Sequence, residues 1–202
     1  MGTSIIAIVY KDGVIMGADS RTSTGQYIAN RASNKITAIH DKIFVCRSGS
    51  AADTQAISDF VKFYLDMHTA ELGTLPLVRT AAALVQQLSY QNKEQLLAAM
   101  IIGGWDPING GSVWEVTLGG SRVQLPWSIS GSGSSYIYGF CDTNFRQGMT
   151  KEQGLQFVRT ALSLAMSRDG SSGGVIRTVV ITKDGVERDF IPGNKVPNYN
   201  DL

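Results

Sequence analysis

Histidine is almost missing from this sequence: His40 and His68 are the only two in 202 residues. A Ser-His-Asp triad needs an imidazole against a serine. His40 instead sits in a His-Asp-Lys turn between strand-like runs, and His68 lies near the end of an amphipathic helical stretch. Cysteine is equally scarce. Cys46 and Cys141 are far apart, and no His/Cys group has zinc-ligand spacing. The two cysteines point to reduced thiols in a cytosolic or nuclear protein, with a single disulfide as the alternative. No apolar run approaches the ~20 residues needed to span a bilayer, and no secretory signal pattern opens the chain. Charge of one sign is also lacking: a net +1 and a pI near 7.7 make no electrostatic case for nucleic acid or an anionic membrane. No strand–glycine-loop–helix phosphate fingerprint appears. If the chain is an enzyme, its general base comes from somewhere other than histidine.

What is present describes a globular chain. Hydrophobic residues make up 43% and charged residues 17%, and the length suits one domain with a substantial core. Residues 3–10 and 14–18 read as a hairpin around Asp12-Gly13, and residues 35–39 and 43–47 as a second pair. Helical periodicity follows. Ser50 and Asp53 have capping-box spacing before a stripe of Ile57, Phe60, Val61, Tyr64, Leu65 and His68, and Pro76 opens a helix with Ala81, Leu84, Val85 and Leu88 inward. Residues 96–105, 113–118 and 122–129 return to strand, and 134–145 reads as a helix. A firmer helix starts at Thr150, whose capping box Gln153 completes, with Leu155, Val158, Leu162 and Ala165 inward. A hairpin of residues 175–182 and 186–191 closes the pattern, and residues 192–202 read as a polar, extended tail. Strand blocks joined by tight turns imply antiparallel sheets, and four amphipathic helices can cover two outer faces, so the pattern predicts a layered α+β domain. No repeat or linker divides it.

The chemistry starts at Thr3, preceded by Gly2 and placed at the head of the strand-like run of residues 3–10. A threonine hydroxyl is a poor nucleophile without a neighbouring base, and an α-amine on the same residue can be that base. Its reference pKa of ~7.7–8.0 leaves a sizeable neutral fraction at physiological pH. Cleavage of the Gly2–Thr3 bond would create such a residue. With Met1 and Gly2 attached, Thr3 carries an amide, and the chain is expected to be an inactive precursor or a trimmed form of one.

Four further stretches carry a resemblance: Gly17-Ala18-Asp19-Ser20-Arg21, Cys46-Arg47-Ser48-Gly49-Ser50-Ala51-Ala52-Asp53, Ser130-Gly131-Ser132-Gly133-Ser134 and Arg168-Asp169-Gly170-Ser171-Ser172-Gly173-Gly174. With Thr3 they make the chain resemble the proteasome β subunits of the N-terminal-nucleophile (Ntn) hydrolase family, most of all the caspase-like catalytic branch of the eukaryotic core particle. The similarity runs from Gly2 to about Arg188. It implies a four-layer αββα sandwich, two antiparallel sheets between helix layers. Residues 3–191 would form a single Ntn-hydrolase domain, with 1–2 a propeptide remnant or added residues and 192–202 a tail. The implied activity is threonine endopeptidase cleavage after acidic residues, by a nucleophile freed through self-cleavage at Gly2–Thr3. The implied partners are other α and β subunits in stacked seven-membered rings, in cytoplasm and nucleus, acting on polypeptides. No cofactor, metal, nucleic acid or membrane is implied.

Carried over by position, the resemblance assigns roles residue by residue. Lys35 would be the cation favouring the Thr3 alkoxide, and Asp19 its partner, since an unpaired carboxylate in that apolar strand would be costly. Gly49, at the turn before the helix capped by Ser50, would offer its amide to an oxyanion; a purely structural turn glycine is the alternative. Ser132, Asp169 and Ser172 would surround the threonine amine, with Arg21 paired somewhere in the network. Arg47, one residue before Ser48-Gly49, should face the substrate and favour an acidic P1 residue by a charge-assisted contact; otherwise it is an edge-strand arginine in solvent. Thr22, Ser33, Ala51 and Gln55 match pocket-lining or cleft positions. Ser23 matches one that holds extended substrate by its backbone. Ser23 and Ser33 stand where the family often has threonine. The rivals are a non-catalytic structural β subunit, a two-ring bacterial-type protease of identical chains, and a peptide-binding module using the same cleft.

Overall fold

In the computed structural model, which describes residues 2–199, strand alternation at the start of the chain sorts side chains into two cores. β1 (Ile5–Tyr10) and β2 (Gly13–Ala18) form an antiparallel hairpin with Ile5 opposite Ala18. Ile6, Ile8, Tyr10 and Ile15 fall into one cluster, while Ile5, Ala7, Val14 and Met16 fall into another on the opposite face. Period-two geometry is the reason: successive side chains leave a strand on opposite sides.

The first face packs under α4 (Lys151–Arg168), which contributes Phe157, Val158, Ala161, Leu162 and Ala165. Its N-terminus has both halves of the capping box, Gln153 N donating to Thr150 Oγ1 at 3.3 Å and Thr150 N to Gln153 Oε1 at 3.0 Å. The second face meets another sheet. That sheet is β5 (Ile36–His40), β6 (Ile43–Gly49), β7 (Ala98–Asp106), β8 (Gly110–Val116) and β9 (Arg122–Leu125), in sequential order. The first sheet runs β10-β1-β2-β11-β12, with β10 at Trp127–Ser130, β11 at Ile176–Thr182 and β12 at Gly185–Ile191. On the far side of the second sheet, α1 (Ala51–Leu72) and α2 (Val78–Gln91) bury Ile57, Val61, Leu65, Val78, Ala81 and Val85. Two antiparallel sheets thus lie face to face between helix layers, the αββα arrangement expected. A small hairpin, β3 (Thr22–Thr24) and β4 (Tyr27–Asn30), stands off the sandwich; periodicity does not reveal it, because β4 is exposed throughout.

Several sequence expectations need correction. Residues 122–129 are not one strand: the chain breaks at Pro126, β9 ending one sheet and β10 starting the other. Proline has no N–H for a ladder, and here its carbonyl takes the Val9 N–H at 2.8 Å. Residues 134–145 form a 3₁₀ turn (Ser134–Tyr136) followed by the short α3 (Tyr138–Asn144). α2 starts at Val78, with Leu77 as its N-cap, and not at Pro76. Phe60 and Tyr64 of α1 point outward, at 57% and 44% exposure, because the buried stripe is Thr54, Ile57, Ser58, Val61 and Leu65. Ser50 Oγ does accept the Asp53 N–H, but the Asp53 carboxylate turns to Leu97 N at 3.0 Å, so that box is half made. Cys46 and Cys141 are buried free thiols. The tail contains a 3₁₀ turn at Gly193–Lys195; Met1 and residues 200–202, which the precursor and tail readings include, lie outside the described residues.

Candidate active site

The β1–β2 register, continued by one residue, sets Ser4 opposite Asp19. Ser4 O accepts the Asp19 N–H at 3.1 Å as a ladder bond, but Ser4 N donates to the Asp19 carboxylate, Oδ1, at 2.9 Å. Asp19 is fully buried. Its Oδ1 also receives Lys35 Nζ at 2.6 Å, and Oδ2 receives the Arg21 and Gly173 N–H groups at 3.2 and 3.0 Å. Four donors thus meet the two oxygens of this buried carboxylate, which leaves neither without a partner. Lys35 stands just before β5, 7% exposed, and its second bond is to Gly2 O at 3.0 Å. Burial pulls the Lys35 ammonium below the usual lysine range. The charge and hydrogen bond of Asp19 oppose this, with help from Asp169, while Arg21 adds to the lowering.

Thr3 is 6% exposed and its hydroxyl donates to the same Gly2 carbonyl oxygen at 2.6 Å. One carbonyl oxygen therefore has an ammonium and the candidate nucleophile on it together. Ser23, at the edge of the β3–β4 hairpin, takes the Gly2 N–H on its Oγ at 3.3 Å.

A second carboxylate organises the other side. Asp169 follows the last residue of α4, and its Oδ2 receives Ser132 Oγ and Ser172 Oγ, both at 2.6 Å. Thr3 N donates to Ser132 Oγ at 3.1 Å. Ser132 Oγ also lies 3.4 Å from Thr3 O, a much weaker approach than its contact with Asp169. The turn holding Ser132 depends on Gly131, whose φ is +90° and whose missing Cβ would sit 2.1 Å from Thr3 O. That close approach lets Gly133 N donate to Thr3 O at 3.1 Å. Arg21 joins from outside, donating from Nη1 to Gly170 O at 2.8 Å.

A cavity of about 90 Å³ opens in front of Thr3, lined by Gly2, Thr22, Ser33, Asn34, Lys35, Arg47, Gly49, Ala51 and Thr54 as well. Arg47 is half-buried on β6. Its Nη2 reaches Asn34 O at 3.4 Å and its Nε has no partner among the described residues. Burial lowers its proton affinity and Asp59 counters this; a guanidinium starts so high that it stays charged. Gly49 ends β6 with φ +103°, its Cβ position 2.3 Å from Leu97 O. Ser50 N donates to Leu97 O, on the β7 side, and Arg47 N to Lys35 O, on the opposite side. By strand alternation the Gly49 N–H points the same way as that of Arg47, away from β7, and Gly49 itself lines the cavity. Gln55 stands exposed on α1 and is not among the lining residues.

The structure thus gathers Thr3, Asp19, Lys35, Ser132, Asp169 and Ser172 into one hydrogen-bonded centre, with Arg47, Gly49, Thr22, Ser33 and Ala51 around the adjoining cavity. Three contributors escaped the sequence reading. Thr54 lines the cavity three residues after Ala51, on the same face of α1, a helical spacing that could have marked it. Ser48 Oγ donates to Ala99 O at 2.9 Å and lies 3.1 Å from Ser130 Oγ, joining the two sheets beside the site. Ser4 contacts Ser172; alternation puts it on the face of Ile6 and Ile8, the one that meets α4 and the segment after it.

Known proteins can now be set beside this geometry. The family described as "Proteasome subunit" matches residues 1–181. The chain is 61% identical over 199 residues to "Proteasome subunit beta type-6" of Dictyostelium discoideum, covering 98% of this chain and 93% of that protein. It is 51% identical over 201 residues to the protein of the same name in Arabidopsis thaliana, covering 100% and 86%. To "Proteasome subunit beta type-1" of Saccharomyces cerevisiae it is 56% identical over 188 residues, covering 93% and 87%.

Proposed function

The chain belongs to the proteasome β-subunit family, and on that premise we propose that it is a catalytic subunit of the core particle, a threonine endopeptidase that cleaves after acidic residues. The observation that carries this reading is the Gly2 carbonyl oxygen held by Thr3 Oγ1 at 2.6 Å and by Lys35 Nζ at 3.0 Å, with Asp19 behind the lysine.

Two reactions share this centre. In maturation, Thr3 Oγ1 adds to the Gly2 carbonyl carbon and Lys35 stabilises the negative charge that develops on its oxygen. The C–N bond breaks, Thr3 N takes the proton, and an ester joins Gly2 to Thr3 Oγ1. Water then hydrolyses the ester, giving a Gly2 carboxylate and a free Thr3 with amine and hydroxyl. In proteolysis that amine takes the hydroxyl proton directly or through one water, help typically worth ~10²–10⁴ in rate. The substrate carbonyl replaces that of Gly2, with the Gly49 amide available to its oxyanion. Ser132 accepts one Thr3 N–H, which leaves the nitrogen lone pair for the hydroxyl. Arg47, whose Nε has no partner among the described residues, meets an acidic P1 side chain. Thr22, Ser33, Ala51 and Thr54 shape the cavity, and Ser23 aligns the backbone that Gly2 now occupies.

As a family member the chain assembles with other proteasome subunits. Stacked seven-membered rings, in cytoplasm and nucleus, complete the proposal. A non-catalytic structural role fits less well, because it would leave a buried lysine–carboxylate pair aimed at a threonine without purpose.

The deciding experiment is peptide cleavage by assembled particles carrying wild-type or Thr3→Ala chain, on substrates with acidic, basic or aromatic P1 residues. Selective loss of acidic cleavage is expected. Unchanged cleavage in all classes, with assembly intact, would make the chain structural.

A further inference from the structure

Ser4 takes no part in the chemistry above, yet it is 1% exposed and touches both carboxylate networks. Its amide donates to Asp19 Oδ1 at 2.9 Å and its hydroxyl lies 2.8 Å from Ser172 Oγ. Proton accounting gives that last contact a direction. An ionised carboxylate only accepts, and a serine hydroxyl has one proton. Ser172 gives its proton to Asp169 Oδ2 at 2.6 Å, so toward Ser4 it can only accept, and Ser4 is the donor. Ser132 likewise gives its proton to Asp169 Oδ2 at 2.6 Å, which turns its lone pair to the Thr3 N–H at 3.1 Å. The result is two directed arms converging on one carboxylate oxygen: Ser4 O–H to Ser172 and Ser172 O–H to Asp169 on one flank, Thr3 N–H to Ser132 and Ser132 O–H to Asp169 on the other. Bonds along each arm polarise one another. Room is reserved for the first member of the Ser4 arm, since a Cβ at Gly133 would lie 1.9 Å from Ser4 Oγ.

We propose that Ser4 is a positioning residue for the proteolytic reaction, a proposal that rests on the threonine-endopeptidase reading. Its hydroxyl occupies the acceptor site of Ser172 and keeps the Ser172 proton on Asp169. Asp169 then presents a fixed oxygen to Ser132, and Ser132 fixes the Thr3 nitrogen. Without that hydroxyl, Ser172 has a buried acceptor unpaired and is free to turn, and the shared Oδ2 no longer holds Ser132 in one orientation. The cost falls on the alignment of amine and hydroxyl. Arg47, Gly49 and the cavity wall are untouched, so substrate binding is not affected.

The test compares assembled particles carrying Ser4→Ala, Ser4→Val and Ser4→Thr with wild type and Thr3→Ala, on a substrate with an acidic P1 residue. Valine and threonine have the same shape and differ by the hydroxyl. Ser4→Ala and Ser4→Val are expected to lower kcat about three- to tenfold, the range set by one buried hydrogen bond, with KM nearly unchanged. Ser4→Thr is expected to restore kcat. Equal kcat in the valine and threonine variants, or an effect confined to KM, would overturn the proposal. So would failure of the alanine and valine particles to assemble while the threonine particle does, since the hydroxyl would then be structural. Failure of all three to assemble overturns it as well, because packing would then set the position. Full activity in Thr3→Ala would instead sink the endopeptidase reading; an inactive Thr3→Ala beside unaffected Ser4 variants sinks only the role of Ser4.

Discussion

Lys35 and Asp19 form a 2.6 Å ion pair in which the carboxylate is fully buried and the ammonium reaches past it to the Gly2 carbonyl. A buried pair of this kind is weak evidence of stabilisation by itself, because desolvating both charges offsets much of their attraction. Its asymmetry is informative. Asp19 has three backbone donors besides Lys35, whereas Lys35 has one carboxylate and one carbonyl. The aspartate is the anchor and the lysine is the group presented to the reaction.

Replacing the anchor therefore costs more than a surface pair would. Asp19→Asn leaves the Lys35 ammonium buried without a counter-charge, which is expected to destabilise the folded chain by about 3–5 kcal/mol and to abolish acidic-substrate cleavage. Thermal unfolding of the assembled particle together with kcat checks it; a variant with wild-type stability and rate would contradict it.

Burial also sets a pH limit. The Lys35 pKa lies below its ordinary 10.5, so the ammonium is lost on the alkaline side earlier than an exposed lysine would lose it. Cleavage is expected to fall as pH rises through that lowered value, below 10.5. In the same window the unfolded chain binds a proton that the folded chain has released, so this group's contribution to stability rises with pH, and the fall in rate is not unfolding. A pH–kcat profile with assembly monitored in parallel checks this; an alkaline limb at or above the ordinary lysine value would refute it.

Arg47→Met removes the guanidinium while keeping an unbranched side chain in the cavity. Hydrogen bonds to charged groups are worth ~1.5–3 kcal/mol, so kcat/KM for acidic P1 substrates is expected to drop about 10- to 150-fold, with substrates of apolar P1 spared. An equal loss on all substrates would mean that Arg47 supports the fold and does not select.

Gly2→Ala tests the maturation geometry. Its Cβ would lie 1.9 Å from Ser171 O, a backbone atom that cannot step aside. The Gly2 carbonyl is expected to leave the Lys35 and Thr3 hydrogen bonds, and intact mass should show the 2–3 bond uncut. Normal cleavage in this variant would refute the packing argument.

The two thiols should be silent. Burial pushes Cys141 up to about 12, with Asp142 adding to it, and raises Cys46 further. Alkylation at pH 8 is expected to leave both unmodified in the native particle and to modify both after denaturation. Above the ordinary thiol value of 9.0 the unfolded chain releases protons that the folded chain keeps, so stability should decline as pH rises toward 12.

Local pattern was enough for much of this protein. Apolar, β-branched runs and the turn residues beside them marked β1, β2 and the closing hairpin, the Thr150–Gln153 box marked the start of α4, and the scarcity of histidine left Thr3 to find its base elsewhere. These depend on spacing within one element, which a linear sequence displays. The failures share a cause as well. Pro126 carries the chain from one sheet to the other, Phe60 and Tyr64 match the helical stripe yet face outward, and the β3–β4 hairpin buries Ser23 but no apolar face that could leave a pattern. Each turns on which surface an element packs against, and that is not a local property. The same division runs through the site. Glycine before threonine, and an arginine just ahead of a turn glycine, stand in the sequence for anyone to read. That Ser4 donates to Ser172, that two carboxylates flank one threonine, and that a lysine and a hydroxyl converge on a single carbonyl oxygen required residues far apart in the chain to meet where two sheets, α4 and its following loop come together. Hydrogen-bond direction and burial exist only after that meeting, so only the tertiary structure could decide them.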